Sequence, residues 1–381
     1  MPRSAHPDRP LLNLRGRWLR QDLGLLVGAA GTSVVGALLV WSATHEAAGT
    51  AYLVRHLLNT AIGIGLAIGV TRLGHQGLRL VAPWIYGISL LGLVAVLTPL
   101  GVTVNGSRSW IPVVAGFTVQ PSEFAKVGLA LVLAFVFADR WERRVAPSNR
   151  DVALGWVLAA VPVALIMLQP DLGSAVVLGG LAFVVIAMAG APRRWVVGVG
   201  LAAVGLVVAA LSTPLLSDYQ RDRLLAFANP SADPQGIGYQ TRQVRLAIGS
   251  GGWNGQGFME GRQTQGGFIP YQLNDFIFSV AGEELGFIGA AGLLVLLSFI
   301  VIRIFVVAGR SGDAFGRFVG VGVGTWLAFQ VFQNVGMNLG VMPVTGLPLP
   351  FVSYGGSSMF ASWLAVGVVN AAYAAGHRDR V

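Results

Sequence analysis

Long apolar runs, interrupted by short polar or basic stretches, dominate the chain. A membrane-spanning helix needs about 20 mostly apolar residues, and the runs here have about that length. The pattern predicts ten spans, centred on residues 23–43, 53–71, 78–99, 121–138, 151–168, 172–190, 195–211, 275–302, 318–342 and 351–375. We therefore expect an all-α polytopic membrane protein in which residues 1–381 form one transmembrane domain.

Composition supports this class. Hydrophobic residues make up 54% and charged residues 11% of the 381 residues, and the mean hydropathy is +0.67, which excludes a soluble globule. Cysteine is absent, so disulfides and cysteine nucleophiles are excluded. The five histidines lack the spacing of metal ligands, so we expect no histidine-bound metal.

Arginine positions predict the orientation, because basic residues in short loops stay on the cytoplasmic side. Ten spans with both termini inside place most of the 26 basic residues in the cytoplasm. The net charge of +9 is then a topology signal and not a sign of nucleic-acid binding. The first 20 residues are polar and arginine-rich, which predicts an uncleaved first span.

A long polar segment, residues 212–274, separates the seventh and eighth spans and is expected outside the cytoplasm. Loops of this length are usually functional or disordered. Within it, the sequence YQTRQVRLAIGSGG (239–252) is typical of an amphipathic helix at the membrane surface. A flexible tether is the alternative.

Charged residues within apolar runs are costly and usually face a cavity or a partner. In QPSEFAK (120–126), Glu123 and Lys126 lie one turn apart on the helix that Pro121 begins. Lys126 is the only lysine of the chain. The pair marks either a substrate path or an internal ion pair that holds helices together.

Three acids lie in NDFIFSVAGEELG (274–286). On one continuous helix, Glu283 would lie about 80° from Asp275 and Glu284 about 180° from it, so they could not form one carboxylate pair. Asp275 is at the start of the predicted span and within reach of the outer aqueous edge. The alternative is that Asp275 only caps the helix.

Three prolines and several glycines interrupt GVMPVTGLPLPFVSYGGSSM (340–359). Non-helical backbone at membrane depth survives only when it is buried in protein or lines a cavity. We therefore expect the outer helix ends to converge on a cleft of mixed charge that suits an anionic amphiphile.

Six strings, spread in order over nearly the whole chain, resemble the motif set of the SEDS family, the RodA and FtsW group. They are QPSEFAK, LQPDLGSA (168–175), NPSADPQGIGYQ (229–240), AIGSGG (247–252), DFIFSVAGEELG (275–286) and PVTGLPLPFVSYGGSS (343–358). The resemblance implies a ten-helix inner-membrane glycosyltransferase that polymerises lipid II. It also implies a class B penicillin-binding protein as partner, together with other elongation-complex proteins. Short tails and the overall pattern look more like RodA than FtsW.

The resemblance also implies site residues. The family's essential aspartate falls on Asp275, its glutamate and lysine fall on Glu123 and Lys126, and an arginine and a glutamine fall on Arg55 and Gln243. Arg108 lies one place from the family's arginine because the string reads GSRSW, with Ser109 before the tryptophan. The chain departs from the family's segment before the aspartate at Tyr271, Leu273 and Asn274.

This chemistry needs a base for the acceptor hydroxyl and cations for the departing diphosphate. We assign Asp275 as the base of an inverting displacement. Lys126, Arg55, and Arg108 or Arg245 are candidates for the diphosphate. A divalent cation, Mg²⁺ or Mn²⁺, is expected to be held there mainly by phosphate and water, and the alternative role of Asp275 is to bind that metal. A lipid II flippase, a division enzyme of the FtsW type and a recruiting scaffold are the alternatives.

Overall fold

The computed structural model describes residues 21–104, 107–113, 118–212, 223, 227 and 236–373. The terminal arginines used for orientation and most of residues 213–235 lie outside this part of the chain. Its helices are α1 Leu23–Ser42, α2 His45–Ala48, α3 Ala51–Leu97, α4 Pro121–Glu142, α5 Asn149–Met167, α6 Leu172–Met188, α7 Arg193–Ser212, α8 Ile237–Ser250, α9 Arg262–Gln265, α10 Ile277–Glu284, α11 Gly286–Arg310, α12 Ala314–Leu339 and α13 Gly356–Tyr373.

The predicted polytopic helical fold is confirmed, since every predicted apolar run contains helix. The second and third runs form one 47-residue helix, α3, with a kink at Gly74, whose φ is 67°. Six described helices are long and apolar enough to cross a membrane. The number ten and the outward position of the long loop stay predictions.

Two helices form the centre of the bundle. In the most apolar stretch of α4, 83% of the residues are buried, and in α12 the share is 78%, against 28% in α3 and 33% in α11. α4 packs against α3, α6 and α12, and α13 packs along α3. Polar groups on α4 and α12 are therefore held away from lipid, where they must find partners within the protein.

A small antiparallel sheet follows α3, which the apolar pattern did not predict. Strands β1 (Val102–Val104), β2 (Ser107–Pro112) and β3 (Thr118–Val119) pair in the order β1-β2-β3. Arg108 fastens the sheet to the end of α3, because its guanidinium donates to the carbonyls of Thr98 (2.7 Å) and Gly101 (3.2 Å).

Residues 275–302 do not form one helix, and the predicted eighth span was wrong in this respect. α10 ends at Glu284, and α11 begins at Gly286 with a φ of 66°. A Cβ at Gly286 would lie 2.2 Å from the Gly255 nitrogen. The break is therefore built around the loop of residues 251–257, which lies against it.

This loop satisfies the backbone groups that the break exposes. The carbonyls of Glu283 and Glu284 accept hydrogen bonds at 2.9 and 3.1 Å, and the amides at the start of α11 donate to the loop at 2.8 and 3.1 Å. Their loop partners are Gln256, Gly257, Gly252 and Trp253. The string AIGSGG and the residues after it thus form the cap for two helix ends.

The same break explains two of the three acids. Glu283 accepts from the backbone amides of Gln263 (2.7 Å) and Thr264 (2.9 Å), so it holds the start of α9. Glu284 accepts from the Ser42 hydroxyl and from Gln265 Nε2. Both carboxylates are buried and anchor α9, and neither pairs with Asp275.

The predicted amphipathic helix forms as α8. Its apolar side, which includes Val244 and Ala247, is buried against Phe276, Met337 and Val344. The helix therefore packs its apolar face on α10 and α12 rather than on lipid, which corrects the expected mode of attachment.

Candidate active site

Asp275 lies in the turn that leads into α10, two residues before the helix begins. The N-cap position belongs to Phe276, whose side chain makes no cap hydrogen bond. The alternative of a capping aspartate is therefore excluded. The Asp275 carbonyl instead accepts from Asn334 Nδ2 (2.9 Å) and Asn338 Nδ2 (3.1 Å) of α12.

The residues before Asp275 are held from the other side. The Asn274 side chain donates through Nδ2 to the Tyr354 carbonyl (2.9 Å), and the Tyr354 backbone amide donates to the Leu273 carbonyl (2.8 Å). The Ser353 hydroxyl donates to the Asn274 carbonyl. Leu273 and Asn274 depart from the family motif, but their backbones fix the approach to Asp275. Tyr271 is exposed, with a φ of 57°.

The carboxylate of Asp275 borders the proline-rich segment 340–355, which is non-helical, as predicted. A Cβ at Gly346 would lie 3.6 Å from Asp275 Oδ2 and 3.6 Å from both terminal nitrogens of Arg223. A base and a cation therefore face the same short piece of loop. Gly346 has a φ of 74°, which favours glycine at this point.

Asp171 lies near the same loop, and its charge acts on Asp275. It caps α6 by accepting from the Ser174 amide (3.0 Å), and a Cβ at Gly173 would lie 3.1 Å from the Thr345 carbonyl oxygen. The string LQPDLGSA is the only sequence signal for Asp171. Nothing in the sequence distinguishes Arg223 from the other arginines of residues 212–274, so sequence reasoning missed both Asp171 and Arg223.

The surroundings of Asp275 raise the pKa of its carboxyl. Close packing by protein raises the pKa of the Asp275 carboxyl to about 6; the positive charge of Arg223 opposes this rise, and the negative charge of Asp171 adds to it. The side chain is nevertheless partly exposed. A carboxylate with a pKa near 6 is a stronger base than an ordinary aspartate and is still mostly ionised at neutral pH.

Glu123 and Lys126 form the expected pair, with Lys126 Nζ 2.6 Å from Glu123 Oε1. Both side chains are buried, and Lys126 also donates to Gln330 Oε1 (2.8 Å) and lies over the Trp326 ring. The Lys126 ammonium therefore contacts three side chains of the protein itself. Substrate binding by this pair stays a prediction.

The remaining assigned residues are dispersed. Arg55 is exposed on α3, Gln243 is partly exposed on α8, and Arg108 fastens the sheet. Arg245 is exposed and donates to the Gly340 carbonyl (3.2 Å) at the end of α12. The structure does not bring these four to Asp275 by any direct hydrogen bond, and their roles in substrate binding stay predictions.

Among the described residues, no group of three or more His, Asp or Glu side chains could hold a metal ion. Asp171 and Asp275 are two carboxylates near one loop, and a Mg²⁺ ion held by one or two carboxylates completes its coordination with substrate phosphates and water. A cation here would depend on oxygens that the substrate brings.

The chain has extensive similarity to known proteins. A probable peptidoglycan glycosyltransferase FtsW of Geobacter metallireducens is 36% identical over 363 residues, which cover 92% of this chain and 94% of the relative.

Two solved structures share the fold. One is a chain from a structure on the structural coordination of polymerization and crosslinking by a peptidoglycan synthase complex. It has a TM-score of 0.80 and 35% identity to this chain, and the similarity covers 95% of this chain and 100% of that chain. The crystal structure of the rod shape determining protein RodA of Thermus thermophilus has a TM-score of 0.69 and 34% identity, with 93% and 97% covered.

The family model for the FtsW, RodA and SpoVE group, described as cell cycle proteins, matches residues 21–377. This match covers the turn with Asp275, the buried Glu123–Lys126 pair and the proline-rich segment. The chain therefore belongs to the FtsW/RodA/SpoVE family of cell cycle proteins, which is the SEDS family that its motifs resemble.

Proposed function

We propose that this protein is a membrane-embedded peptidoglycan glycosyltransferase that polymerises lipid II into glycan strands at the outer face of the cytoplasmic membrane. The observation that carries the proposal is the partly exposed Asp275 carboxylate, which has a raised pKa and lies beside Arg223 at a non-helical loop within a helical membrane protein. The relative named as a probable peptidoglycan glycosyltransferase supports the reaction class.

In the proposed reaction, Asp275 accepts the proton of an acceptor sugar hydroxyl as its oxygen attacks the anomeric carbon of a lipid-linked donor. A new C–O bond forms, the bond from the anomeric carbon to the diphosphate oxygen breaks, and the lipid diphosphate leaves. A single displacement inverts the anomeric centre. Only one base is required, and Glu283 and Glu284 are both engaged elsewhere.

Positive charge is needed where the diphosphate departs. The positive charge of Arg223 acts on the Asp275 carboxylate, which supports adding Arg223 to the arginines inferred from sequence. A divalent cation held mainly by the diphosphate would supply further neutralisation. Removal of divalent cations with a chelator should then slow polymerisation, and added Mg²⁺ or Mn²⁺ should restore it.

The partner we propose is a class B penicillin-binding protein, which would crosslink the strands. The solved chain from a complex that coordinates polymerization and crosslinking, similar over 95% of this chain, supports such an assembly. Both termini are proposed to be cytoplasmic.

We further propose that the protein acts in cell elongation, as RodA does, rather than in division. The FtsW relative is 36% identical and the RodA structure 34% identical, so identity does not decide between division and elongation. Expression in cells depleted of their own RodA or FtsW tests it. Recovery of rod shape supports elongation, whereas recovery of division alone supports the FtsW role.

The reaction itself is tested with purified protein in liposomes, with lipid II as the only substrate and with the partner added in a parallel sample. We expect glycan polymer on gels. If no polymer forms with or without the partner, but labelled lipid II moves between leaflets, the protein is a flippase and the enzymatic proposal falls.

A further inference from the structure

A stripe of buried amides runs along α12, the second central helix. Gln330, Asn334 and Asn338 recur every fourth residue, so they lie on one face in successive turns. Trp326 begins the stripe, and none of the four side chains is exposed to solvent. Buried amides in a membrane protein are costly unless their donors are used. Their partners therefore indicate what the stripe does.

All three amides donate to backbone carbonyls outside α12. Gln330 Nε2 donates to the Pro348 carbonyl (2.8 Å), and Asn334 Nδ2 donates to the Leu347 carbonyl (2.7 Å) and the Asp275 carbonyl (2.9 Å). Asn338 Nδ2 donates to the same Asp275 carbonyl (3.1 Å). One rigid helix face thus holds both the turn with Asp275 and the loop that its carboxylate borders.

The other end of the stripe reaches the buried ion pair. Gln330 Oε1 accepts from Lys126 Nζ (2.8 Å) and from Trp326 Nε1 (2.6 Å), while Gln330 Nε2 holds the loop. Lys126 therefore fixes the orientation of the Gln330 amide. This chain of contacts connects α4 to the loop without a direct contact between Lys126 and Asp275.

We propose that Asn334 and Asn338 are positioning residues for Asp275, and that the stripe from Gln330 to Asn338 sets the distance between the Asp275 carboxylate and the loop at Gly346. The proposal rests on the proposed function, in which Asp275 is the base. Neither asparagine touches the substrate. They act by holding the backbone carbonyl of Asp275, because a reacting group misplaced by about 1 Å can lose 10²-fold in rate.

Asn334→Leu removes the hydrogen bonds that Asn334 Nδ2 donates to the Asp275 and Leu347 carbonyls, and it keeps a similar side-chain volume. We expect kcat for lipid II polymerisation to fall at least tenfold while KM changes less than twofold, since substrate contacts remain. Asn338→Leu should lower kcat by a smaller factor, because Asn334 still holds the Asp275 carbonyl. This second variant also answers the question if Asn334→Leu fails to fold.

The matched control is Asn370→Leu. Asn370 is an equally buried asparagine on α13, whose side chain binds the Val366 carbonyl and the Asp22 amide, remote from the loop. Activity is normalised to the amount of folded protein, which is judged by the size-exclusion profile and the thermal melt. A purely structural role predicts that all three variants lose folded protein but keep kcat. A positioning role predicts that only Asn334→Leu and Asn338→Leu lose kcat.

Combination with Asp275→Asn separates this inference from the proposed function. If Asp275→Asn is inactive, and Asn334→Leu and Asn338→Leu lower kcat while Asn370→Leu does not, the positioning role holds, as proposed. If Asp275→Asn is inactive but the asparagine variants keep normal kcat, the positioning role is overturned and the assigned base stands. If Asp275→Asn polymerises normally, the assigned base falls and the positioning role falls with it.

Discussion

At the scale of single residues, environment separates acids that the sequence places close together. Glu283 and Glu284 anchor backbone and side-chain donors of α9, while Asp275 faces a loop beside Arg223. The sequence identified Asp275 through its motif and its place at the start of an apolar run. It could not identify Arg223 and Asp171, because their proximity depends on the folding of three distant segments.

The raised pKa of Asp275 gives a pH prediction. A general base acts when deprotonated, so with a pKa of about 6 the polymerisation rate should be half-maximal near pH 6 and fall below it. Asp171→Asn removes a negative charge that raises this pKa, and asparagine can still cap α6. The acid limb should therefore move to lower pH. Rates measured from pH 5 to 8 check this, and an unmoved limb would show that Asp171 does not act on Asp275.

The buried Glu123–Lys126 pair gives a stability prediction. Lys126→Met leaves the Glu123 charge buried without its partner, which typically costs about 3–5 kcal/mol. The double variant Glu123→Gln/Lys126→Met removes both charges and should recover part of that loss. Thermal melts in one detergent compare the two. Equal stability of wild type and Lys126→Met would mean that the pair contributes nothing to folding.

At the scale of elements, the hydrophobic pattern predicted where helices form and which is amphipathic. It did not predict the break at Gly286, because the apolar run continues through it and no proline marks it. The break exists because loop 251–257 supplies partners from outside the run. The apolar face of α8 shows the same limit, since periodicity reveals a face but not what covers it.

Two glycines of α11 test the break. Gly286→Ala introduces a Cβ at a φ of 66° and 2.2 Å from the Gly255 nitrogen, and it should destabilise the fold by at least ~1 kcal/mol. A Cβ at Gly292 meets nothing within 4 Å, so Gly292→Ala should be neutral or stabilising by about 0.5–1 kcal/mol. In thermal melts, Gly286→Ala should melt at a lower temperature than wild type, and Gly292→Ala at the same or a higher temperature. The same rank for both would refute the close packing of loop and break.

At the scale of the whole molecule, orientation decides whether Asp275 can meet an outer-leaflet substrate. The chain contains no cysteine, so single cysteines report accessibility without background. We expect an impermeant maleimide to label Trp253→Cys, an exposed site beside the break, in intact cells. Arg144→Cys, in a short arginine-rich connection, should react only after permeabilisation. The reverse pattern would invert the predicted topology.

We propose that glycan polymerisation depends on the Asp275 carboxylate, which takes the proton of the acceptor hydroxyl. One lipid II assay should compare wild type, Asp275→Asn and Glu260→Gln, because Glu260 is an exposed acid in residues 251–274, the stretch that precedes Asp275. We expect polymer from wild type and Glu260→Gln at similar rates, and none from folded Asp275→Asn. Polymer from Asp275→Asn at the wild-type rate would contradict it.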